Sequence, residues 1–174
     1  MKSNSILFSE KKKLVKYNAS KDVSEWELDF EYKIYGVSRI DNYVFVTTYS
    51  NWGTTYTSLV AFDSGKKLWT LEEIFYSVHI IGDKLIYKDK KKYFNGIDIN
   101  SGKNIFNTKP PFKWSTPKAM LLDGKFFLYN SKKTCQLNLG SQGHSQSMRL
   151  SLHATPIDEF LSKSPSFSFF GPEP

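Results

Sequence analysis

Residues with the chemistry to act as ligands, bases or nucleophiles are few and scattered in this chain. The histidines are His79, His144 and His153. His79 falls in an apolar stretch, where a satisfied core or interface imidazole is expected. His144 and His153 stand nine residues apart in a polar region, without the short spacing that lets two imidazoles share a metal ion. Cys135 is the single cysteine, so no intrachain disulfide can form. No histidine or asparagine pairs with it in sequence, and it reads as a half-buried strand residue rather than a nucleophile. Asp22, Asp63, Asp83, Asp98 and Asp123 all sit in turn-like contexts, where side-chain bonding to the local backbone accounts for them. The phosphate-loop, dinucleotide, zincin, nucleophile-elbow and paired-cysteine patterns are all missing. The expectation is a protein that is not an enzyme, with no catalytic residue, no cofactor and no metal.

The lysines are the more suggestive set. They cluster as Lys11, Lys12 and Lys13, as Lys66 and Lys67, as Lys90, Lys91 and Lys92 behind Lys88, and as Lys132 and Lys133. The formal net charge is +7. Solvated hairpin tips and protected sheet edges explain such clusters. The alternative is a basic rim for an acidic protein or for nucleic acid. YSNWGTTY, residues 49–56, adds Trp52 in a polar connection. An aromatic in that setting is either an anchor for a partner or a lid folded back on its own sheet.

The elements that hold these residues are strands. GIDINSGKNIF, residues 96–106, has relatives in AFDSGKKLW (61–69), in KYNASKDVSEW (16–26) and, degenerately, in QLNLGSQG from Gln136. A second signal lies between them, in SRIDNYVFV, HIIGDKLIY and MLLDGKFFLY. There, two turn residues of the Asp, Asn and Gly types separate apolar runs, the mark of a tight hairpin. Val44, Leu85 and Phe126 recur 41 residues apart. A period of about 40–50 residues is that of propeller blades. Apolar and polar residues alternate along the runs, and β-branched and aromatic types dominate.

The fold class expected is therefore all-β, a series of four-stranded antiparallel blades of a partial or small β-propeller. The blades are placed at about 5–29, 33–71, 75–108 and 117–139. The first lacks its opening strand. A chain of 174 residues is long enough for a real core, burying about 68–70% of its unfolded surface.

The repeated stretch resembles the blade motif of PQQ-like (quinoprotein-type) β-propeller repeats, Ala-x-Asp-x-x-Thr-Gly-Lys-x-x-Trp. Gly96, Asp98, Ser101, Gly102, Lys103 and Phe106 match at full spacing. Ala61, Asp63, Gly65, Lys66 and Trp69 match with the turn shortened by two residues. Asn18 and Trp26 match the ends. The resemblance covers about residues 5–139 and implies structural roles: Gly for an unusual backbone turn, Asp for turn hydrogen bonds, the large aromatic for packing between blades. The quinone-dependent dehydrogenases of that family are longer and carry calcium ligands, a catalytic Asp and often adjacent cysteines, and none of these carries over. Members usually have seven or eight blades against about four here. An open array would complete itself by homo-oligomerisation or by binding something.

Beyond residue 139 the composition turns Ser- and Pro-rich. Residues 147–153 alternate as a strand would, and 156–163 read as a short helix with Thr155 as its cap and Pro156 at its first position. No leader and no apolar run of membrane-span length is legible, so the expected compartment is the cytoplasm. The function expected is a non-enzymatic binding or scaffold module. It would hold an acidic protein through Lys11, Lys12, Lys13, Trp52, Lys90, Lys91, Lys92, Lys132 and Lys133. The alternatives are a nucleic-acid-binding module using the same face, or a piece of a larger quinoprotein-like enzyme whose catalytic residues lie outside this chain.

Overall fold

The computed structural model describes residues 5–109, 118–122, 125–129 and 134–137, and every regular element among them is a strand. The first sheet holds β1 (Ser5–Glu10), β2 (Lys13–Asn18) and β3 (Val23–Asp29). The second holds β4 (Lys33–Ile40), β5 (Tyr43–Tyr49), β6 (Thr55–Ala61) and β7 (Lys67–Leu71). The third holds β8 (Tyr76–Ile81), β9 (Lys84–Lys88), β10 (Phe94–Asp98) and β11 (Asn104–Thr108). Each is an antiparallel meander with strands in sequence order, and the three form one compact unit, blades 1 to 3. A second unit contains the sheet of β12 (Lys118–Leu122), β13 (Lys125–Tyr129) and β14 (Thr134–Leu137), again a meander. The expected strand at 147–153 and helix at 156–163 lie outside the described residues. No helix among the described residues is long and apolar enough to cross a membrane.

Turn chemistry sets the sheet geometry. Asp41 and Gly82 open the tight β4–β5 and β8–β9 turns at φ 51° and 57°, a region that Gly, Asn and Asp enter most readily. The middle strands are buried on both faces. Val44, Phe45 and Val46 in β5 and Leu85, Ile86 and Tyr87 in β9 are buried runs, and Phe126, Phe127 and Leu128 are their counterpart in β13. The 41-residue spacing thus marks the second strand of successive blades.

Two cores lie between neighbouring blades. Leu14 of blade 1 packs with Val44, Val46, Val60 and Phe62 of blade 2. Phe45, Leu59 and Trp69 of blade 2 pack with Leu85, Tyr87, Ile97 and Ile99 of blade 3. Because strand side chains alternate, blade 2 meets blade 1 with Val44, Val46 and Val60 and blade 3 with Phe45 and Leu59.

A specific contact fastens each core. The Trp26 Nε1–H donates to the Phe62 carbonyl at 2.9 Å, and its ring lies where a Cβ on Gly65 would stand, 2.7 Å away. The Trp69 Nε1–H donates to the Ile99 carbonyl at 2.8 Å, and its ring lies 2.8 Å from the Cβ position of Gly102. In both cases the acceptor is the third residue before the glycine.

This contact corrects one expectation. Residues 16–26, 59–69 and 96–106 correspond one to one with no gap, each with a bulge just before the aromatic. Gly65 N bonds the Ala61 carbonyl, as Gly102 N bonds that of Asp98. Ala61, not Asp63, is therefore the counterpart of Asp98, and the turn is not shortened. Asp98 accepts from the Ser101 amide and hydroxyl, and Asn18 accepts from the Ser20 and Lys21 amides. Ala61 has no side chain to do either, and Asp63 takes the place of Asn100. Phe106 differs too: its ring lies over Gly96, its own cross-strand partner, where a Cβ would come within 1.9 Å.

Candidate binding face

In a four-stranded meander, the turn between the second and third strands and the linker to the next blade fall at the same end. Three tips of this end are described: residues 11–12, 50–54 and 89–93. The first is pinned to its linker, since Phe30 N bonds the Lys12 carbonyl and Ile34 N bonds that of Lys11, each at 2.8 Å. Lys11 and Lys12 are exposed there, while Lys13 lies in β2 and is ion-paired to Glu27 at 2.8 Å.

The other two tips share one construction. Ser50 N bonds the Thr54 carbonyl, Gly53 N bonds the Ser50 carbonyl, and Thr54 N bonds the Ser50 hydroxyl. Asp89 N, Lys92 N and Tyr93 N make the same three bonds, with the Asp89 carboxylate in place of the hydroxyl. Gly53 and Lys92 both take positive φ, 82° and 67°. Residue for residue, Trp52 occupies in blade 2 the place of Lys91 in blade 3. The loop holds Trp52 outward, 95% exposed, so the alternative of a lid folded on the blade is not what is found.

Between these tips lies a cleft of about 350 Å³. Tyr49, Gly53, Thr54 and Thr55 form one wall, Asp89, Lys90 and Lys91 the other, and Glu72, Glu73 and Ile74 of the interblade linker the floor. The floor is fixed in place. The Thr57 hydroxyl donates to the Glu73 carbonyl and the Tyr87 hydroxyl to its carboxylate. Burial, reinforced by the Glu73 carboxylate, holds the Tyr87 phenol well above its ordinary range, so it remains a donor. Buried Asp89 receives the Tyr93 amide and the Asn95 side chain. Among the described residues, Glu72, Lys90 and Lys91 are exposed and make no ion pair. Tyr35 and Tyr49, with ring centroids 6.1 Å apart, extend the exposed aromatic surface on the blade 2 side.

The structure thus places Lys90 and Lys91 in the cleft wall, Trp52 on the exposed loop beside it, and Lys11, Lys12 and Lys92 at the same end. Lys132 and Lys133 lie outside the described residues. The sequence reading missed that Glu31, Glu72 and Glu73 share this end, so the surface carries both signs of charge. Strand parity was the available signal: it sends every interblade linker to the end that carries the lysine tips. His79 is half-buried in β8, and burial holds its imidazole below its ordinary range. Asn18, Trp26, Asp63, Gly65, Trp69, Asp98, Gly102 and Phe106 belong to the opposite turns and the blade interfaces, away from the cleft.

No protein family matches the sequence, and no curated protein matches it either. Solved structures do match. BamB from Moraxella catarrhalis is similar with a TM-score of 0.53 and 20% identity, over 78% of this chain and 43% of that one. The β-propeller domain of Cps50 (Swd1) from Myceliophteria thermophila is similar with a TM-score of 0.50 and 13% identity, over 84% of this chain and 52% of that one. These likenesses establish the fold: the sheets are propeller blades. The chain spans about half the length of the propellers it resembles.

Proposed function

We propose that the protein is a non-enzymatic binding module of the cytoplasm that grips a partner protein at the cleft between the blade 2 and blade 3 tips. The observation that carries this reading is Trp52. A loop closed by three internal hydrogen bonds holds an indole in water beside a concave, charged cleft. Indole rings contribute heavily where they become buried at interfaces. Lys90, Lys91 and Lys92 supply sites for acidic side chains of the partner, and Glu72 requires a donor opposite it. The partner segment is therefore predominantly acidic with at least one basic or amide group.

A protein fits this face better than a nucleic acid does. Glu31, Glu72 and Glu73 stand at the same end as the lysines, and a phosphate backbone laid across the tips would meet those carboxylates.

The test is capture from lysate of the source cells, with and without nuclease, using the native chain, Trp52→Ala, and a variant with Lys90, Lys91 and Lys92 all changed to Glu. The reading expects a stoichiometric protein that survives nuclease, weakens as salt rises, and is lost with either variant. Equal capture by all three proteins, or recovery of nucleic acid alone, would overturn it.

A further inference from the structure

The contact that fastens blade to blade has a donor half, a Trp, and an acceptor half, a turn whose glycine leaves room for the indole. Blades 2 and 3 receive a Trp on Gly65 and Gly102. The same turn exists in blade 1 at residues 18–22, on the face turned away from blade 2. Its backbone is equivalent: Asp22 has φ 56°, against 70° for Gly65 and 69° for Gly102. Its side chain is not equivalent. Asp22 puts a Cβ and a carboxylate where the other two turns leave space, and the Tyr17 hydroxyl donates to that carboxylate.

We propose that Asp22 closes the outer face of blade 1 to any further blade that brings an aromatic lock, whether from a second copy or from another chain. The obstacle is steric first. A Cβ built on Gly65 lies 2.7 Å from the Trp26 ring, and one on Gly102 lies 2.8 Å from the Trp69 ring, closer than real Cβ contacts come. Asp22 has that Cβ already. Its carboxylate then adds a desolvation cost under an incoming ring, since a charged group covered by an indole loses its water.

The first strand of the same face keeps its apolar residues. Ile6 and Phe8 sit at the register positions of Val44 and Val46 in blade 2. Those valines are 0% exposed at the blade 1–blade 2 core, whereas Ile6 is 54% and Phe8 47% exposed. The β1 positions remain apolar, as in a blade interface, while Tyr17 and Ala19 stand where Val60 and Phe62 complete the blade 1–blade 2 core and Asp22 fills the socket. Without Asp22 this face would offer a neighbouring propeller both an apolar wall and a vacant turn. Positive φ is tolerated by Asp better than by most residues, so the stop is made with little backbone strain.

The stop residue can be transplanted. The full chain carries four tryptophans. Labelled with 5-fluorotryptophan, it gives four ¹⁹F resonances, assigned by single Trp→Phe variants. In Gly65→Asp, the Trp26 resonance is expected to move to the shift and solvent-isotope response of exposed Trp52, with Trp69 unmoved. If that variant does not fold, Gly65→Ala, which adds only the Cβ, is read the same way. Asp22→Gly, in a turn that receives no Trp among the described residues, is expected to leave all four resonances in place. Retention of the buried Trp26 signal in a folded Gly65→Asp or Gly65→Ala chain would show that the turn accepts both a Cβ and an indole, and would overturn the proposal. Displacement of Trp26 or Trp69 by Asp22→Gly would overturn it too, because Asp22 would then be acting on the existing locks.

Discussion

Replacing Trp69 by Phe gives blade 2 the residue type that blade 3 has at position 106. The phenyl ring still covers Gly102 and keeps part of its contact with Phe75, whose ring centroid lies 6.0 Å from that of Trp69. What disappears is the indole N–H that bonds the Ile99 carbonyl at 2.8 Å in a buried position. A buried carbonyl left without its donor costs about 1–3 kcal/mol. The smaller ring adds roughly 1 kcal/mol of lost apolar burial. The expected loss is therefore about 2–4 kcal/mol, a large part of the ~5–15 kcal/mol that holds a typical domain together. The assay is urea unfolding followed by far-ultraviolet circular dichroism. With a slope of about 2 kcal/mol per molar, the midpoint should fall by roughly 1–2 M. Trp52→Phe is the internal control, because an exposed ring should change stability by no more than about 0.5 kcal/mol. If Trp69→Phe moves the midpoint no further than Trp52→Phe does, the indole–carbonyl bond is not what fastens blade 2 to blade 3.

Three further outcomes are expected. Gly96→Ala forces a Cβ into the Phe106 ring and should cost at least about 1–3 kcal/mol, with partial rescue by Phe106→Leu, read as thermal midpoints. The Ser101 hydroxyl and amide hold the Asp98 carboxyl below its ordinary range. A depressed folded pKa stabilises the fold above the unfolded value, near 4, and that contribution is lost as pH falls from there through the folded value. The acid side of the stability profile should accordingly be flatter in Asp98→Ala than in the native chain. Cys135 is buried and burial pushes its thiol up, so a disulfide reagent should label it slowly in the native protein and fast in urea.

Much of the fold was legible because β structure writes itself locally. The Asp-Asn and Gly-Asp pairs place the hairpins, and two-residue alternation places the strands between them. The 41-residue interval from Val44 to Leu85 to Phe126 then says that one unit repeats. The alignment of Asp63 with Asp98 misled for a physical reason. Matching residue identity favoured Asp with Asp, whereas the chain counts back from the residue at positive φ, which is Asp22, Gly65 or Gly102. That conformation is invisible in a string that shows Asp in one copy and Gly in the others. The cleft was half legible. Trp52 and Lys90 to Lys92 stand out as loop residues, but the floor comes from a linker, and its Glu72 and Glu73 read as ordinary surface charge until strand parity is followed around two blades. Tyr35 and Tyr49 lie near strand ends where alternation no longer decides burial.

The most direct test of the binding face is site-specific photo-crosslinking in the source cells. A benzoylphenylalanine replaces Trp52 at the cleft, or Asp63 in the exposed turn at the opposite end of the same blade. One discrete protein adduct is expected from position 52 and none from position 63. Adducts of equal yield from both positions, or an adduct from position 63 alone, would contradict it.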